Sequence, residues 1–166
     1  MRMPFTPELT TLAYVVVDQR VLLVHRIARD DDEQLGKYNG LGGKVEPGEH
    51  VVAAIRRELR EEAGIEVTEL SLRGTLSWPG FNGRDVFGFV FLVTGFTGEI
   101  PERNEEGTLG WHDIASIMEL PMWDGDRHFL PLVFDPGVAQ FHGVLPYDGG
   151  HNVGWEVAVV PAGAAT

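Results

Sequence analysis

Glu58, Glu61 and Glu62 stand at spacings that gather three carboxylates on one side of a helix. At about 100° per residue they fall within an arc of roughly 100°. Val52, Ile55 and Leu59 occupy the adjoining arc and can face a sheet, so the carboxylates crowd the edge of a buried face. Glu58 and Glu62 are like charges at i,i+4, which destabilises an exposed helix by roughly 0.2–0.5 kcal/mol, and by more where water is scarce. Arg57 can offset Glu61 at i,i+4, but no basic residue is spaced to serve both others. A divalent cation relieves such crowding. Hard oxygen donors suit Mg²⁺ or Mn²⁺, which such sites often share with substrate phosphates. Three glutamates alone are also what an ordinary solvated helix face contains. The approach to the helix holds Gly40, Gly42, Gly43 and Gly48. Such a loop lets backbone come close to a ligand and offers carbonyls as further metal ligands, although turns alone also account for glycines.

The whole segment has the pattern G-x5-E-x7-R-E-U-x-E-E-x-G-U, where U is a bulky aliphatic residue. Gly43, Glu49, Arg57, Glu58, Leu59, Glu61, Glu62, Gly64 and Ile65 fill its nine specified positions across 23 residues. This segment resembles the Nudix box of the MutT-type pyrophosphohydrolases, which hydrolyse a nucleoside diphosphate linked to another group. The resemblance implies an α/β protein of Nudix fold: an α/β/α sandwich with a mixed β-sheet, the box forming loop, helix and loop. It implies that Glu58, Glu61 and Glu62 bind divalent metal, that the carbonyl of Gly42 or Gly43 adds a ligand, and that Glu49 and Arg57 pair to brace the loop against the helix. Either Glu58 or Glu61 would orient or deprotonate the attacking water. Metal would neutralise phosphate charge, polarise phosphorus and activate water, with positioning supplying most of the rate. Without metal, so acidic a surface would repel a triphosphate.

Further blocks are similar to those of animal MutT homologues that act on oxidised purine nucleoside triphosphates. They are Asn39–Val45 (NGLGGKV), Met122–Asp126 (MWDGD), Pro131-Leu132 and Phe141–Gly143. This likeness implies that Asn39 and Asp126 read a purine edge and that Trp123 stacks on the base, roles that suit an amide, a carboxyl and an indole. It implies that Glu106 joins the metal site and that Lys44 meets a phosphate. Each position has a plainer alternative: Trp123 in the core, Asn39 in a turn, Glu106 and Lys44 as solvated charges. In the family's adjacent aspartate pair one carboxylate is here missing or displaced by one position, which keeps Asp124, with Asp126, as a candidate substrate-binding residue. Gly125 occupies the first place and Asp124 stands where a proline is usual, which bears on discrimination of 8-oxoguanine from guanine. The loop Ala28–Gly36 is longer and more acidic than its counterpart.

The positioning elements are legible from periodicity and turn residues. Leu12–Val17 and Val21–Val24 read as strands of a hairpin around Asp18–Arg20. Arg29–Gln34 (RDDDEQ) reads as a solvated charge run. His50–Ala63 reads as a helix, with Gly64 as its C-cap. Ile65–Trp78 and Arg84–Phe96 read as strands separated by Pro79-Gly80 and Asn82-Gly83, with Trp78–Phe81 either an aromatic flap over a substrate or a packed strand-end turn. Asp113–Leu120 reads as a short helix, Arg127–Phe134 as helix or loop, and Phe141–Leu145 and Trp155–Val160 as strands. Residues 1–10 and 161–166 read as loose ends. Strands, a helix, more strands, a helix and final strands suggest a mixed sheet with helices packed on it.

The chain's 166 residues make one domain's worth, 1–166, with 43% hydrophobic residues and no cysteine. Thiolate metal sites and cysteine nucleophiles are excluded. A formal net charge of −12 speaks against a nucleic-acid polymer as partner. The absence of a long apolar run speaks against a membrane and for a cytoplasmic location. Oligomeric state is open between monomer and homodimer. Five of the six histidines, at 25, 112, 128, 142 and 151, have no ligand spacing. The expectation is therefore a Mg²⁺-dependent (or Mn²⁺-dependent) nucleoside triphosphate pyrophosphohydrolase that releases monophosphate and pyrophosphate. Its expected substrates are oxidised purine nucleotides such as 8-oxo-dGTP, in nucleotide-pool sanitation. A broad (d)NTP pyrophosphohydrolase, an ADP-ribose or dinucleotide hydrolase, and a catalytically silent binding domain are the alternatives.

Overall fold

In the computed structural model, which describes residues 2–163, the chain forms ten strands and two α-helices among the described residues. The strands are β1 (Glu8–Val17), β2 (Arg20–Arg26), β3 (Tyr38–Asn39), β4 (Glu66–Phe81), β5 (Arg84–Thr97), β6 (Gly107–Asp113), β7 (Val138–Val144), β8 (Tyr147–Asp148), β9 (His151–Asn152) and β10 (Glu156–Pro161). The helices are α1 (Val51–Ala63) and α2 (Asp126–Phe134), and Ile114–Glu119 is a 3₁₀ turn. Eight strands make one sheet in the order β10-β7-β4-β5-β1-β2-β3, with β6 also paired to β2, while β8 and β9 form a separate ribbon. The pairs β1·β5 and β4·β7 are parallel and the others antiparallel.

Strand alternation sorts the core onto two faces. Ala13, Val15, Leu22, Val24, Phe91 and Val93 meet Ile55, Leu59 and Ala63 of α1 on one face. Tyr14, Val21, Leu23, Val90 and Phe141 meet Phe129, Leu130 and Val133 of α2 on the other. The result is the α/β/α sandwich that the resemblance implies. Among the described residues no helix is long and apolar enough to cross a membrane.

The structure adjusts several elements. β1 begins at Glu8, because Glu8, Leu9 and Thr10, within the expected loose start, pair in parallel with Val86, Phe87 and Gly88. β4 runs through Pro79-Gly80 to Phe81, and the reversal falls at Asn82-Gly83 alone. Arg127–Phe134 resolves as helix despite Pro131 inside it. Asp113–Leu120 tightens into the 3₁₀ turn. β6, with its interspersed Gly107, Gly110 and charged residues, carries too weak an apolar alternation to be read from sequence, and long pairing with β2 makes it a strand. Met1 and residues 164–166, parts of the expected loose ends, lie outside the described residues.

Arg73 on β4 fastens α2 to the sheet. It donates from Nε to the Val133 carbonyl (3.0 Å), from Nη1 to Ala139 (3.1 Å), and from Nη2 to Leu132 (3.1 Å) and Asp135 (2.9 Å). Three of these carbonyls end α2, whose last turn has no basic residue of its own, at a position where a cation is favoured. Arg73→Met removes all four bonds and should lower stability by about 2–3 kcal/mol. Urea unfolding should show a lower midpoint at unchanged slope, with Arg73→Lys falling between.

Candidate functional site

The acidic helix is well anchored at both ends. His50 caps α1, its Nδ1 accepting from the Ala53 N–H at 3.1 Å, and Gly64 closes it in the left-handed conformation at φ 66°. Ala54, Ile55, Leu59 and Ala63 are buried on the sheet, which leaves Arg57, Glu58, Glu61 and Glu62 along the margin. Arg57 grips Glu49 with two bonds of 2.8 Å, from Nε to Oε2 and from Nη2 to Oε1. Nη2 also donates to the Lys44 carbonyl at 3.0 Å. Nη1 reaches Glu58 Oε1 at 2.9 Å and Glu61 Oε2 at 3.3 Å. The guanidinium thus ties the glycine loop to the helix and holds the Glu49 carboxyl down to about 2. Glu61, 60% exposed, is the least confined of the glutamates.

Glu62 lies deeper. Its Oε2 accepts from the Gly42 N–H at 3.2 Å. Burial, with Glu106 and Glu58 nearby, pushes its carboxyl well above the ordinary carboxylate range. Glu106 is raised as well, chiefly by burial, although Arg26 Nη1 donates to it at 2.9 Å. Asn104 locks this corner: its Nδ2 donates to the Glu62 carbonyl (3.1 Å), while its Oδ1 accepts from the N–H groups of Glu106 (2.9 Å) and Gly107 (3.1 Å). Gly43 passes so near Glu58 that a Cβ there would stand 2.6 Å from the carboxylate. The Gly43 carbonyl accepts from the Thr11 N–H (2.8 Å) and hydroxyl (3.1 Å), which fixes the loop to β1. Among the described residues no group of three or more His, Asp and Glu side chains already stands at metal-binding spacing.

A cleft of about 280 Å³ opens beside this cluster. Gly42, Gly43, Lys44 and Glu106 line one part, and Asn39, Trp123 and Asp126 line another. Burial pushes the Asp126 carboxyl up to about 7, against the opposing pull of Arg127 and Lys37. Trp123 is only 8% exposed, with the Lys37 ammonium 4.6 Å from its ring centroid and Phe81 edge-on at 4.7 Å. Lys44 pairs with Glu8 at 3.0 Å, and Glu8 also holds Arg84 at 3.1 Å.

Asp124 does not join these residues. Its carboxylate accepts from the Asn152 N–H at 3.1 Å and faces His151 at 3.5 Å, on the β8–β9 ribbon outside the cleft lining. Gly125 has a steric reason: a Cβ there would stand 2.5 Å from the Tyr147 hydroxyl, which accepts from the Gly125 N–H at 3.0 Å. Trp78 and Phe81 lie at the end of β4, where they pack into the core and also line the cleft, so they are packed strand residues and not a turn.

Several lining residues escaped the sequence reading: Tyr14, Arg26, Gln34 and Arg84. Gln34 and Asp32 belong to the segment read as a solvated charge run. Instead Asp32 receives two bonds from Arg26, at 2.7 and 3.2 Å, and Glu33 binds Arg84 at 3.0 Å. Those partners lie on β2 and β5, so no local signal announces them.

Comparison with known proteins agrees with this geometry. The model of the NUDIX domain matches residues 6–133. An uncharacterised Nudix hydrolase, YvcI of Bacillus subtilis, is 34% identical over 134 residues, covering 78% of this chain and 80% of its own. The oxidized purine nucleoside triphosphate hydrolase of Danio rerio is 34% identical over 150 residues, covering 90% and 92%. The crystal structure of a MutT protein from Bacillus halodurans superposes with a TM-score of 0.79 at 28% identity, covering 90% of this chain and 97% of the other. With the box helix, its brace and the mixed sheet all in place, the chain belongs to the Nudix hydrolase family.

Proposed function

We propose that this protein is a divalent-metal-dependent nucleoside triphosphate pyrophosphohydrolase acting on oxidised purine nucleotides such as 8-oxo-dGTP. The carrying observation is a single cleft whose one part offers Asn39, Asp126 and Trp123 and whose other part is walled by Gly42, Gly43 and Glu106 beside the acidic helix. The Danio rerio relative, named for hydrolysis of oxidised purine nucleoside triphosphates, supports the same substrate class.

The donor set fits Mg²⁺, with Mn²⁺ as substitute. Glu58, Glu61, Glu62, Glu106 and the carbonyl of Gly42 or Gly43 are all hard oxygen donors. The Glu62 carboxyl is moreover pushed above the ordinary range by burial and then by Glu106 and Glu58, an arrangement a cation would relieve. When bound, the ion would neutralise phosphate charge and lower the pKa of a water. The chain's own residues do the rest. Arg57 fixes Glu49 and Glu58 relative to the loop. Glu58 or Glu61 orients the water and accepts its proton as the water oxygen attacks phosphorus, taken as the β-phosphorus from the family resemblance. The bond to the leaving monophosphate oxygen breaks, and pyrophosphate and nucleoside monophosphate depart. Lys44 can exchange Glu8 for a phosphate oxygen. One observation favours a second reading, broad (d)NTP hydrolysis: the seat of Gly125 against Tyr147 leaves no room for a second base-reading carboxylate there.

The test is a comparison of initial rates on 8-oxo-dGTP, dGTP, dATP and ADP-ribose with Mg²⁺ or Mn²⁺. Preference for 8-oxo-dGTP, yielding monophosphate and pyrophosphate, is expected. Equal rates on the plain triphosphates would establish the broad reading, and turnover of ADP-ribose alone would refute both. At least one of Glu58→Gln and Glu61→Gln should lower kcat by about 10²–10⁴-fold.

Glu62 generates a stability prediction. Its folded-state pKa exceeds the ordinary 4.5, so the native protein binds more protons than the unfolded chain at higher pH. Stability of the metal-free protein should therefore fall as pH rises above about 4.5. Glu62→Gln avoids the cost of taking up this proton on folding, so in a chelator at pH 8 its Tm should be higher by at least about 2–4 °C, the shift given by ~1 kcal/mol in a domain of this size. The same variant should lose the Tm gain that Mg²⁺ gives the wild type.

Asp126 generates a pH prediction. It is flanked by Asp124, Arg127 and Lys37, and faces Tyr14 and Tyr147. As pH falls through about 7 it gains a proton and ceases to be a pure acceptor. KM for 8-oxo-dGTP should rise on the acid side of that value, and Asp126→Asn should abolish the inflection.

A further inference from the structure

Gln34 stands where the acidic loop meets the cleft, and its carboxamide oxygen does two things. Oε1 accepts from Trp123 Nε1 at 3.2 Å and from Asn39 Nδ2 at 3.0 Å. The indole settles the orientation of both amides. An indole N–H only donates, so Gln34 must turn its oxygen toward it. That oxygen only accepts, so Asn39 must turn its NH₂ group toward Gln34. Nδ2 is anchored on Gln34 by one of its two hydrogens, and among the described residues Oδ1 has no hydrogen-bond partner, so Oδ1 is the acceptor Asn39 offers to a ligand in the cleft. Asp126 lines the same cleft and, when ionised, is also an acceptor.

We propose that Gln34 is the specificity-determining residue of the base pocket: by holding Asn39 with Oδ1 free, it makes the pocket read a purine edge with two adjacent donors. Guanine and 8-oxoguanine offer that edge, with N1–H beside the N2 amino group. Adenine sets the acceptor N1 beside its N6 amino group, so one acceptor of the pocket meets another acceptor. Reversing the Asn39 amide would remove this mismatch, and the Gln34–Trp123 bond prevents the reversal. Gln34 acts through Asn39 and is a positioning residue. The inference rests on the reading of this cleft as a purine nucleotide site, and extends it to the guanine-type edge.

The test compares the wild type with Gln34→Leu, which keeps the bulk and removes the acceptor, and with Gln34→Glu, which keeps the acceptor and removes the Nε2 donors. Two readouts are needed: the ratio of kcat/KM for dGTP over dATP with Mg²⁺, and calorimetric binding of dGMP and dAMP in EDTA. Gln34→Leu should lower the guanine preference by about tenfold in both, carried in KM more than in kcat. Gln34→Glu should retain it. Gln34→Leu with an unchanged ratio overturns the proposal. So does Gln34→Glu losing as much as Gln34→Leu, because Nε2 would then be touching the base itself. A wild type indifferent to base in both readouts overturns it too. A wild type that hydrolyses neither triphosphate, yet binds dGMP over dAMP in a Gln34-dependent manner, supports the proposal while refuting the hydrolase reading. Gln34→Glu keeps the test decisive should Gln34→Leu not fold.

Discussion

Among the described residues the Arg57 guanidinium is the one cation within hydrogen-bond reach of Glu49, Glu58 and Glu61, and it also holds the Lys44 carbonyl. Without it the loop from Lys44 to Glu49 would lose its side-chain tie to α1, leaving only the Gly42–Glu62 bond further back, and the first turns of the helix would carry unrelieved like charge. Its fork reaches Glu49 through two parallel bonds, a geometry that a lysine cannot reproduce. Glu62 lies one turn beyond Glu58, where Arg57 does not reach, so the repulsion that remains is concentrated on this deeper carboxyl of the helix margin. The helix is thus balanced at its loop end and left unbalanced at its inner end. A metal site needs both conditions: rigid placement and a charge deficit that only a cation makes good.

Two further cations extend this division. Arg26 joins Glu106 to Asp32, and Arg84 joins Glu8 to Glu33. Both couple the acidic loop to sheet strands that line the cleft. A net charge of −12 is therefore unevenly spent: some acidic residues order the loops, and others crowd at the helix margin. The loop that carries Asp32 and Glu33 also carries Gln34 to the Asn39 amide, so the charge network and the Asn39 part of the cleft are one structure.

The legibility of the site in sequence followed chain distance. Gly43 through Ile65 could be read as a unit because loop, brace and helix are contiguous, and helical geometry alone puts Glu58, Glu61 and Glu62 on one strip. The three-layer fold could be anticipated from the order of strands and helices, and from the family resemblance. Asp124 shows where residue type misleads: it sits beside Gly125 and Asp126, yet one step in the backbone sends its carboxylate to the β8–β9 ribbon. Arg26, Gln34 and Arg84 were invisible because their partners lie up to 89 residues away, and β6 because pairing rather than pattern makes it a strand. The acidic run 29–34 looked solvated because its cations come from other strands.

The central claim is that the acidic margin of α1 becomes a hydrolytic site when it gains a cation. The most direct measurement follows Mn²⁺ occupancy by electron paramagnetic resonance in the same samples in which release of pyrophosphate from 8-oxo-dGTP is timed. The account predicts that rate and occupancy rise together in the wild type, and that Glu62→Gln depresses both. Turnover in the presence of excess chelator, or full Mn²⁺ occupancy without pyrophosphate release, would contradict it.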